Sequence, residues 1–331
     1  MRKWLSHIIL LIGSLLYGLS ATAQSLSPLA HISLLTCTPG DELYTRYGHT
    51  ALRVVDPLQR IDWVFNYGMF SFEDSHFYLH FVQGQTWYEL GMQTYSEFIP
   101  EYHYFHRPVA EQVLNLTNQE MNALFRALII NAQPDNCKYL YNFVFDNCAT
   151  RPYYILKDVL GDSLVSDYQG WEGRSYRDFI HHYTRHGSWA EFGIDLVFGY
   201  KADRPVNGEG RLFLPEELMF FLSQAHLSDG RPLVKSENLT PFAIKPVAWY
   251  QTWYFGVALF AVLMIWLNWY DCRRGKRTKW VDYTLYSLYA LLAALMIFLI
   301  FFSVHPLVSI GWRLFLIPFI HLCTRYIYIW H

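Results

Sequence analysis

Apolar and polar residues alternate with a period of two in several short segments of the N-terminal half, a pattern typical of β-strands with one buried face. A helix is expected over residues 74–83. The alternation predicts strands over residues 47–55, 61–67, 85–92 and 109–116, after a short apolar run at 32–36. Together these segments predict a meander of strands to which helices are added.

A change to helical spacing follows the last of these strands. Thr117 and Glu120 form a capping-box pattern, and the apolar residues after them recur every three or four positions. Beyond an aromatic stretch at 139–145, Asp146-Asn147 offers caps for another helix. The mixture predicts an α+β domain, whereas residues 161–212, rich in Gly, Arg and Tyr, predict a loop-rich covering segment.

The N-terminus has the layout of an export signal. Arg2 and Lys3 supply the positive start, an apolar run follows, and Ala21-Thr22-Ala23 is a small-x-small cleavage site. An uncleaved N-terminal anchor is the alternative. The pattern predicts a signal peptide at 1–23 and an extracytoplasmic domain at 24–246, of which 161–246 is the covering and linker part.

The C-terminal part, residues 247–331, predicts a membrane domain. Two uncharged stretches, 247–270 and 283–304, each exceed the roughly 20 residues that a spanning helix needs. Five Lys and Arg residues lie between them at 271–279, and such a loop marks the cytoplasmic side. The preceding domain is therefore expected outside, in agreement with the signal peptide. A third apolar segment, 307–331, is expected either to span the membrane or to lie in the interface.

Composition and charge restrict the partners and the compartment. The net charge of -2 gives no reason to expect a nucleic-acid partner, and the excess of apolar residues, 53% of the chain, lies mostly at the two ends. Cys37, Cys137 and Cys148 face an oxidising compartment in this topology. Since three thiols cannot all pair with one another, at least one is expected to be free or paired elsewhere.

Metal and cofactor signals are weak in this sequence. His76 and His80 are four residues apart, and His103 and His106 are three apart, but neither pair has the carboxylate context of a zinc-protease motif. The sequence contains no phosphate-binding glycine loop and no Ser-hydrolase elbow. We therefore expect neither a metal site nor a cofactor.

Two segments carry candidate chemistry. His49 lies on a predicted strand within Arg46–Val54, and Cys148 lies at the start of a predicted helix within Tyr141–Arg151. A helix N-terminus and a nearby imidazolium both favour a reactive thiolate, and the helix start also offers backbone N–H groups to an oxyanion. Either residue alone is more often structural, but the pair indicates nucleophilic catalysis.

The order of a strand His and then an Asn-Cys at a helix start resembles the circularly permuted papain-like fold of the NlpC/P60 superfamily. The chain also resembles, over nearly its whole length, the bacterial Lnb family of lipoprotein N-acyltransferases. The motifs that carry this resemblance are Leu35–Gly40, Tyr47-Gly48-His49, Asn66-Tyr67-Gly68, Asp146–Arg151 and Ser303-Val304-His305-Pro306. The resemblance implies an α+β, circularly permuted papain-like domain followed by C-terminal transmembrane α-helices. It places the protein in the inner membrane of a bacterium, with the catalytic domain on the periplasmic side. The family's C-terminal part is generally longer, so this chain is expected to stop short of it.

The resemblance further implies acyl transfer from a phospholipid acyl donor to a diacylated lipoprotein acceptor. Cys148 would attack an acyl ester with His49 as general base, and the lipoprotein's free α-amine would then attack the thioester. In relatives a polar residue on the strand after the His orients the imidazole. Asp62 is the first candidate for that role and Asn66 is the second.

Further residues of these motifs are expected to support the site. Asn147 directly precedes the nucleophile. Tyr67 and Arg151 are expected either to place the substrate headgroup or, alternatively, to pack and to pair with a carboxylate. His305 follows the second membrane helix on its outer side, where it either approaches the active site from the membrane plane or lies in an interfacial loop.

A disulfide is one further expectation. Cys37 lies 12 residues before His49, and Cys137 lies 11 residues before Cys148. If the His strand and the Cys helix are adjacent, a bridge between Cys37 and Cys137 is possible.

Three functions fit the pattern to different degrees. The first is the membrane-tethered thiol acyltransferase, since spanning helices and interfacial aromatic residues suit a lipid enzyme. The alternative is a thiol peptidase or amidase that acts on cell-wall peptide, as many NlpC/P60 relatives do, although no wall-binding module is visible. A scaffold with an inactive domain is the third, and the presence of Cys148, His49 and Asp62 argues against it.

Overall fold

A computed structural model describes residues 25–70, 76–168, 173–240 and 242–309. The predicted signal peptide, 1–23, and nearly all of the third apolar segment lie outside these described residues. Within them the chain forms a sheet domain followed by two long apolar helices.

A seven-stranded antiparallel sheet forms the centre of the N-terminal domain, in the order β6-β4-β3-β2-β1-β5-β9. A two-stranded sheet, β7-β8, lies beside it. The strands are β1 His31–Cys37, β2 His49–Asp56, β3 Ile61–Met69, β4 Trp87–Thr94, β5 Val109–Leu114, β6 Lys138–Leu140, β7 Leu164–Ser166, β8 Ala225–Leu227 and β9 Val234–Asn238. All strands predicted from alternation are present to within a few residues, because each has one face in a hydrophobic core.

Nine α-helices occur in the described part of the chain. They are α1 Phe77–Gln83, α2 Tyr95–Tyr104, α3 Asn118–Asn131, α4 Thr150–Leu160, α5 Tyr176–Tyr183, α6 Trp189–Val197, α7 Pro215–Gln224, α8 Trp253–Arg274 and α9 Lys279–Phe302. The capping box predicted at α3 is confirmed, since the Thr117 hydroxyl accepts the N–H of Glu120 and the Glu120 carboxylate accepts the N–H of Thr117. The mixed α/β character is therefore confirmed, whereas the circularly permuted papain-like arrangement stays a prediction.

The central sheet is covered on both faces. On one face Leu34, Leu52 and Phe65 pack in a core with α3 and α4. On the other face a smaller core joins Cys37 and Ala51 to α2. Alternation along β2 places His49 on the α2 face together with Ala51.

Helix α2 has no counterpart in the sequence prediction. Pro100 inside it obscures the helical pattern, but the Glu97 carboxylate accepts the backbone N–H of Thr94 and thereby caps the first turn. Thr94 and Glu97 have the same spacing as the capping box of α3, and this signal is sufficient to find the helix. Its Phe98 and Tyr102 cover the face on which His49 lies.

The covering segment differs from the loop-rich prediction because it contains α5 and α6. The hydroxyls of Ser175 and Ser188 accept backbone N–H groups at the first turns of these helices. Such caps start helices even where Gly and Arg are frequent. The segment packs in one core with Val144, beside the thiol loop, and with Leu307, beyond the second membrane helix.

Helices α8 and α9 are long and apolar enough to cross a membrane, as predicted. Helix α8 ends at Gly275, whose left-handed φ of 59° turns the chain within the positively charged loop. At the outer end, the N–H of Trp253 donates to the Gly187 carbonyl at 2.9 Å, and Phe198 pairs with Val308. The N-terminal domain is thus joined to the outer ends of both helices.

Candidate functional site

Asn147 holds the loop in which Cys148 lies. Its side-chain oxygen accepts the N–H groups of Ala149 at 2.8 Å and Thr150 at 2.9 Å, and its amide nitrogen donates to the Phe143 and Phe213 carbonyls. The predicted cap at this position is confirmed. Because all its side-chain hydrogen-bonding groups are used and it is buried, Asn147 fixes the backbone on either side of the thiol.

Cys148 lies two residues before α4 in the sequence. In the fold it lies near the first residues of β2. Burial raises the pKa of the Cys148 thiol to about 11, because desolvation outweighs the opposing effect of the backbone N–H groups of Thr50 and of Cys148 itself. The expected thiolate is therefore not the resting form, and the sulfur carries its proton at neutral pH.

His49 faces Asn66 across two adjacent strands. Its Nε2 lies 2.6 Å from the Asn66 side-chain oxygen. Since that oxygen only accepts, Nε2 carries the hydrogen and Nδ1 is left with a free lone pair. Burial lowers the pKa of His49 to about 4, against the opposing effect of the Asn66 hydrogen bond, and the Arg107 charge lowers it further. The imidazole is thus neutral and oriented to accept a proton.

Asp62 does not orient His49, which corrects the first sequence prediction. Its carboxylate binds the Arg53 guanidinium through bonds of 2.8 and 2.9 Å. Asp62 and Asn66 share one face of β3 but are four residues apart, about 13 Å along the strand. The second candidate, Asn66, is the residue that contacts the imidazole.

Gly68 lies beside both Cys148 and His49. A methyl group placed on Gly68 would lie 3.6 Å from Cys148 Cβ, 3.7 Å from His49 Cε1 and 4.0 Å from the Tyr139 hydroxyl. Its φ of +96° lies in the region that disfavours side chains, and the ladder between β3 and β4 is irregular here. The glycine therefore leaves space for a substrate atom between the three groups.

Tyr139 is a site residue that the sequence reasoning missed. Its hydroxyl is buried and has no hydrogen-bond partner within the described part of the chain. Burial holds its pKa well above the usual range, so the hydroxyl keeps its proton and can donate. The Arg151 guanidinium lies 3.6 Å over the centre of its ring. An unused donor at the thiol suits an oxygen that gains negative charge.

The backbone N–H groups at the start of α4 were predicted to bind an oxyanion, but in the structure they have other partners. Those of Ala149 and Thr150 already bind the Asn147 side chain, so they do not point at a substrate oxygen. Tyr139, rather than the helix start, supplies the donor without a partner.

The structure shows Tyr67 packed and Arg151 paired with a carboxylate, and a role of the two residues in placing the headgroup stays a prediction. The Tyr67 hydroxyl donates to the Asn131 side-chain oxygen at 2.8 Å, and its ring is buried on the face of β3 opposite to Asn66. Arg151 binds both carboxylate oxygens of Asp146, with 2.8 Å between Nη2 and Oδ2. Both residues line a cavity of about 380 Å³.

His305 lies against α1. Its Nε2 is 3.0 Å from the Phe81 carbonyl oxygen, and burial lowers its pKa. The same ring contacts the position of Gly84, which ends α1. His305 therefore joins the outer end of α9 to α1, and the structure does not bring it to the Gly68 site.

Cys37 and Cys137 are free thiols, so the predicted disulfide between them is not formed. Cys37 lies on β1, opposite His49, whereas Cys137 lies beside Leu90 of β4. Strands β1 and β4 are three positions apart, about 14 Å, and a disulfide tolerates Cα separations of only about 7 Å. The two side chains also belong to cores on opposite faces of the sheet.

Alkylation tests this arrangement. Protein purified without reductant, denatured and treated with iodoacetamide is expected to carry the label completely on the peptides of both Cys37 and Cys137. Prior reduction serves as the control and is expected to leave their labelling unchanged. Protection of both peptides that is lifted by reduction would restore the disulfide.

Comparisons with protein-family models are in agreement with this architecture. Residues 21–185 match the model described as the Lnb N-terminal periplasmic domain. Residues 248–331 match the model described as the Lnb transmembrane domain. No curated protein and no solved structure matches the chain.

Proposed function

The chain belongs to the Lnb family, a membership that indicates a membrane-associated enzyme of lipoprotein processing with a periplasmic domain, and we propose that it is a thiol acyltransferase. Its donor is a phospholipid and its acceptor is the N-terminal amine of a diacylglyceryl-cysteine lipoprotein. The observation that carries the proposal is the convergence of Cys148 and a neutral, oriented His49 at Gly68.

The first half of the reaction forms a thioester. His49 Nδ1 takes the proton of the Cys148 thiol as the sulfur attacks the acyl carbonyl carbon, and the carbonyl oxygen becomes an oxyanion beside the Tyr139 hydroxyl. The oxyanion then re-forms the carbonyl, and the bond to the glycerol oxygen breaks. The imidazolium protonates this leaving oxygen, so lysophospholipid departs and His49 is neutral again.

The second half transfers the acyl chain to the acceptor. The lipoprotein amine attacks the thioester carbon and gives its proton to His49 Nδ1. When the tetrahedral intermediate collapses, the Cys148 sulfur leaves and takes the proton back from the imidazolium. The products are an N-acylated lipoprotein and the free thiol, so each atom and proton is accounted for.

Membrane helices support this choice of substrates. Both the donor and the acceptor are anchored in a bilayer leaflet, and α8 and α9 are attached to the sheet domain at their outer ends. A site tethered in the same leaflet meets both substrates at a high effective concentration. We place the protein in the inner membrane, with Cys148 on the periplasmic side.

Complementation tests the function directly. Expression of the full chain in a bacterium that lacks lipoprotein N-acylation is expected to convert diacyl lipoproteins to triacyl forms, as read by mass spectrometry of their N-termini. Continued diacyl forms despite good expression would refute the proposal. Release of cell-wall peptides by the purified protein would instead favour the thiol peptidase alternative.

Asn66→Ala is expected to lower kcat for acyl-enzyme formation by about 10- to 100-fold, part of the 10²–10⁴-fold that a general base contributes. The substitution removes the acceptor that fixes the tautomer of His49. Asp62→Asn is the control, because Asp62 binds Arg53 instead, and it is expected to keep kcat. The reverse order of the two effects would return the orienting role to Asp62.

The pH profile tests the neutral pair. With the pKa of His49 lowered to about 4, the imidazole can accept the thiol proton above that pH and loses this ability as pH falls through about 4. The rate of acyl-enzyme formation is therefore expected to be flat from about pH 5 to 8 and to fall below that range. As a control for unfolding, protein held at each acid pH is returned to neutral pH, and its rate of acyl-enzyme formation is measured again there. An acid limb near the ordinary histidine pKa of 6.5 would contradict the assignment.

A further inference from the structure

Aromatic side chains form a row that leads from the thiol site to α1. Between ring centres, Tyr88 lies 6.5 Å from Tyr139, and Phe70 lies 5.0 Å from Tyr88. Phe77 then lies 5.8 Å from Phe70, and Phe81 lies 6.1 Å from Phe77. We call Tyr88, Phe70, Phe77 and Phe81 the aromatic row. The aromatic row begins beside Tyr139, whose hydroxyl lies near Gly68, and it ends on the surface helix α1.

Three of the four side chains of the aromatic row reach the protein surface, and none of the four is charged. Tyr88 and Phe70 are partly buried and Phe81 is 53% exposed, whereas Phe77 is buried at 7% exposure. Tyr141 supports Tyr88 from one side, with ring centres 4.1 Å apart. Burial raises the pKa of Tyr88 to about 12, so its hydroxyl stays neutral. The row thus offers apolar surface at Phe81, Phe70 and Tyr88, joined through the contacts of Phe77, along which a flexible chain can lie.

The outer end of the row is fixed to the membrane domain. Directly after α9, the N–H of Val304 donates to the Gln83 carbonyl at 2.8 Å, and the His305 ring contacts the Phe81 carbonyl. These bonds place the C-terminal end of α1 at the depth where a spanning helix leaves the bilayer. Helix α1 therefore lies at the periplasmic face of the inner membrane.

Exposed apolar side chains of α1 agree with that position. Tyr78 is 79% exposed and Leu79 is 48% exposed, next to Phe81 on the same short helix. Aromatic and aliphatic side chains in such numbers favour the membrane interface over water. Lipid chains are accordingly available at one end of the aromatic row, while Cys148 lies near the other.

We propose that the aromatic row binds the acyl chain of the membrane lipid whose carbonyl carbon reacts with Cys148. This inference rests on the proposed acyl transfer. The chain leaves the bilayer at α1, lies over Phe81, Phe70 and Tyr88, and brings its ester to Gly68. Cover of this kind is needed because each methylene that crosses the interface uncovered is exposed to water, which is unfavourable.

Photocrosslinking tests the row without any reaction. The full chain with Cys148→Ala is placed in vesicles of phosphatidylethanolamine and phosphatidylglycerol that contain a small fraction of phosphatidylethanolamine with a diazirine in one acyl chain. After irradiation, label is expected on the peptide that contains Tyr88 as well as on α1 and the spanning helices. Label that stops at α1 would show only an interfacial anchor and would overturn the proposal.

Chain-length selectivity tests the row during turnover. Wild-type protein is expected to form the Cys148 thioester faster from dipalmitoyl than from dihexanoyl phosphatidylcholine, as followed by intact mass. Tyr88→Ser is expected to lower this preference at least fivefold, whereas Tyr88→Phe keeps the ring and the preference. An unchanged ratio in Tyr88→Ser would overturn the row, while absence of any thioester in wild type would refute the proposed function. In that event the crosslinking result still decides whether the row binds acyl chains.

Discussion

Cys148→Ala is expected to abolish the covalent acyl-enzyme and to lower lipoprotein N-acylation by on the order of 10³-fold or more, because it removes the thiol that lies at Gly68. The Asn147 side chain fixes the loop that carries the sulfur, and it is not nucleophilic. Cys148→Ser is expected to be nearly as inactive. A hydroxyl keeps its proton more firmly than a thiol, and a neutral His49 is a weak base for removing it.

Cys137→Ala is the matched control for this prediction. Cys137, like Cys148, is a partly buried free thiol that packs against the larger core, but it lies beside Leu90 at the far side of β4. We expect Cys137→Ala to form the acyl-enzyme at the wild-type rate. Intact mass after incubation with phospholipid measures both variants. An acyl adduct on Cys148→Ala would remove the nucleophile assignment.

Strand alternation made most of the sheet predictable. The segments that became β1 to β5 have one face in a core, so apolar residues recur at every second position. Helix α3 was predictable for a similar reason, since its capping box and apolar spacing agree. The approach of His49 and Cys148 followed from motif order, because nearly 100 residues separate them and only the fold brings them together.

The choice between Asp62 and Asn66 could not be made from spacing. Both lie on the same face of β3, and each faces a basic residue of β2 with the same diagonal geometry. Arg53 pairs with Asp62, and His49, four residues earlier, pairs with Asn66. The register of β2 against β3 decides the assignment, and a sequence pattern does not fix register across a turn.

Tyr139 gave no local signal for a related reason. In the sequence it belongs to an aromatic stretch that reads equally well as core. Its place at the thiol depends on β6 pairing with β4 at the edge of the sheet, where Tyr139 lies opposite Tyr88. The missing hydrogen-bond partner of its hydroxyl becomes visible only when the surrounding strands are in place.

Tyr139→Phe is expected to lower kcat for acyl-enzyme formation by about 10²-fold, the typical effect of removing one oxyanion donor. The substitution removes one oxygen and leaves the ring between Arg151 and Tyr88, so packing is retained. Because the hydroxyl has no ground-state partner in the described structure, its loss leaves no buried group newly unpaired. The free energy of unfolding is therefore expected to change little, which separates a catalytic effect from a structural one.

The kinetic pattern distinguishes this role from substrate binding. A donor that binds only the developing oxyanion lowers kcat and kcat/KM equally and leaves KM near its wild-type value. Tyr176→Phe is the matched control, because Tyr176 is a partly buried tyrosine of α5 that packs in the core of the covering segment and loses the same atom there. Single-turnover rates of thioester formation with saturating phospholipid measure both variants. Equal rates for Tyr139→Phe and wild type would show that the Tyr139 hydroxyl does not bind the oxyanion.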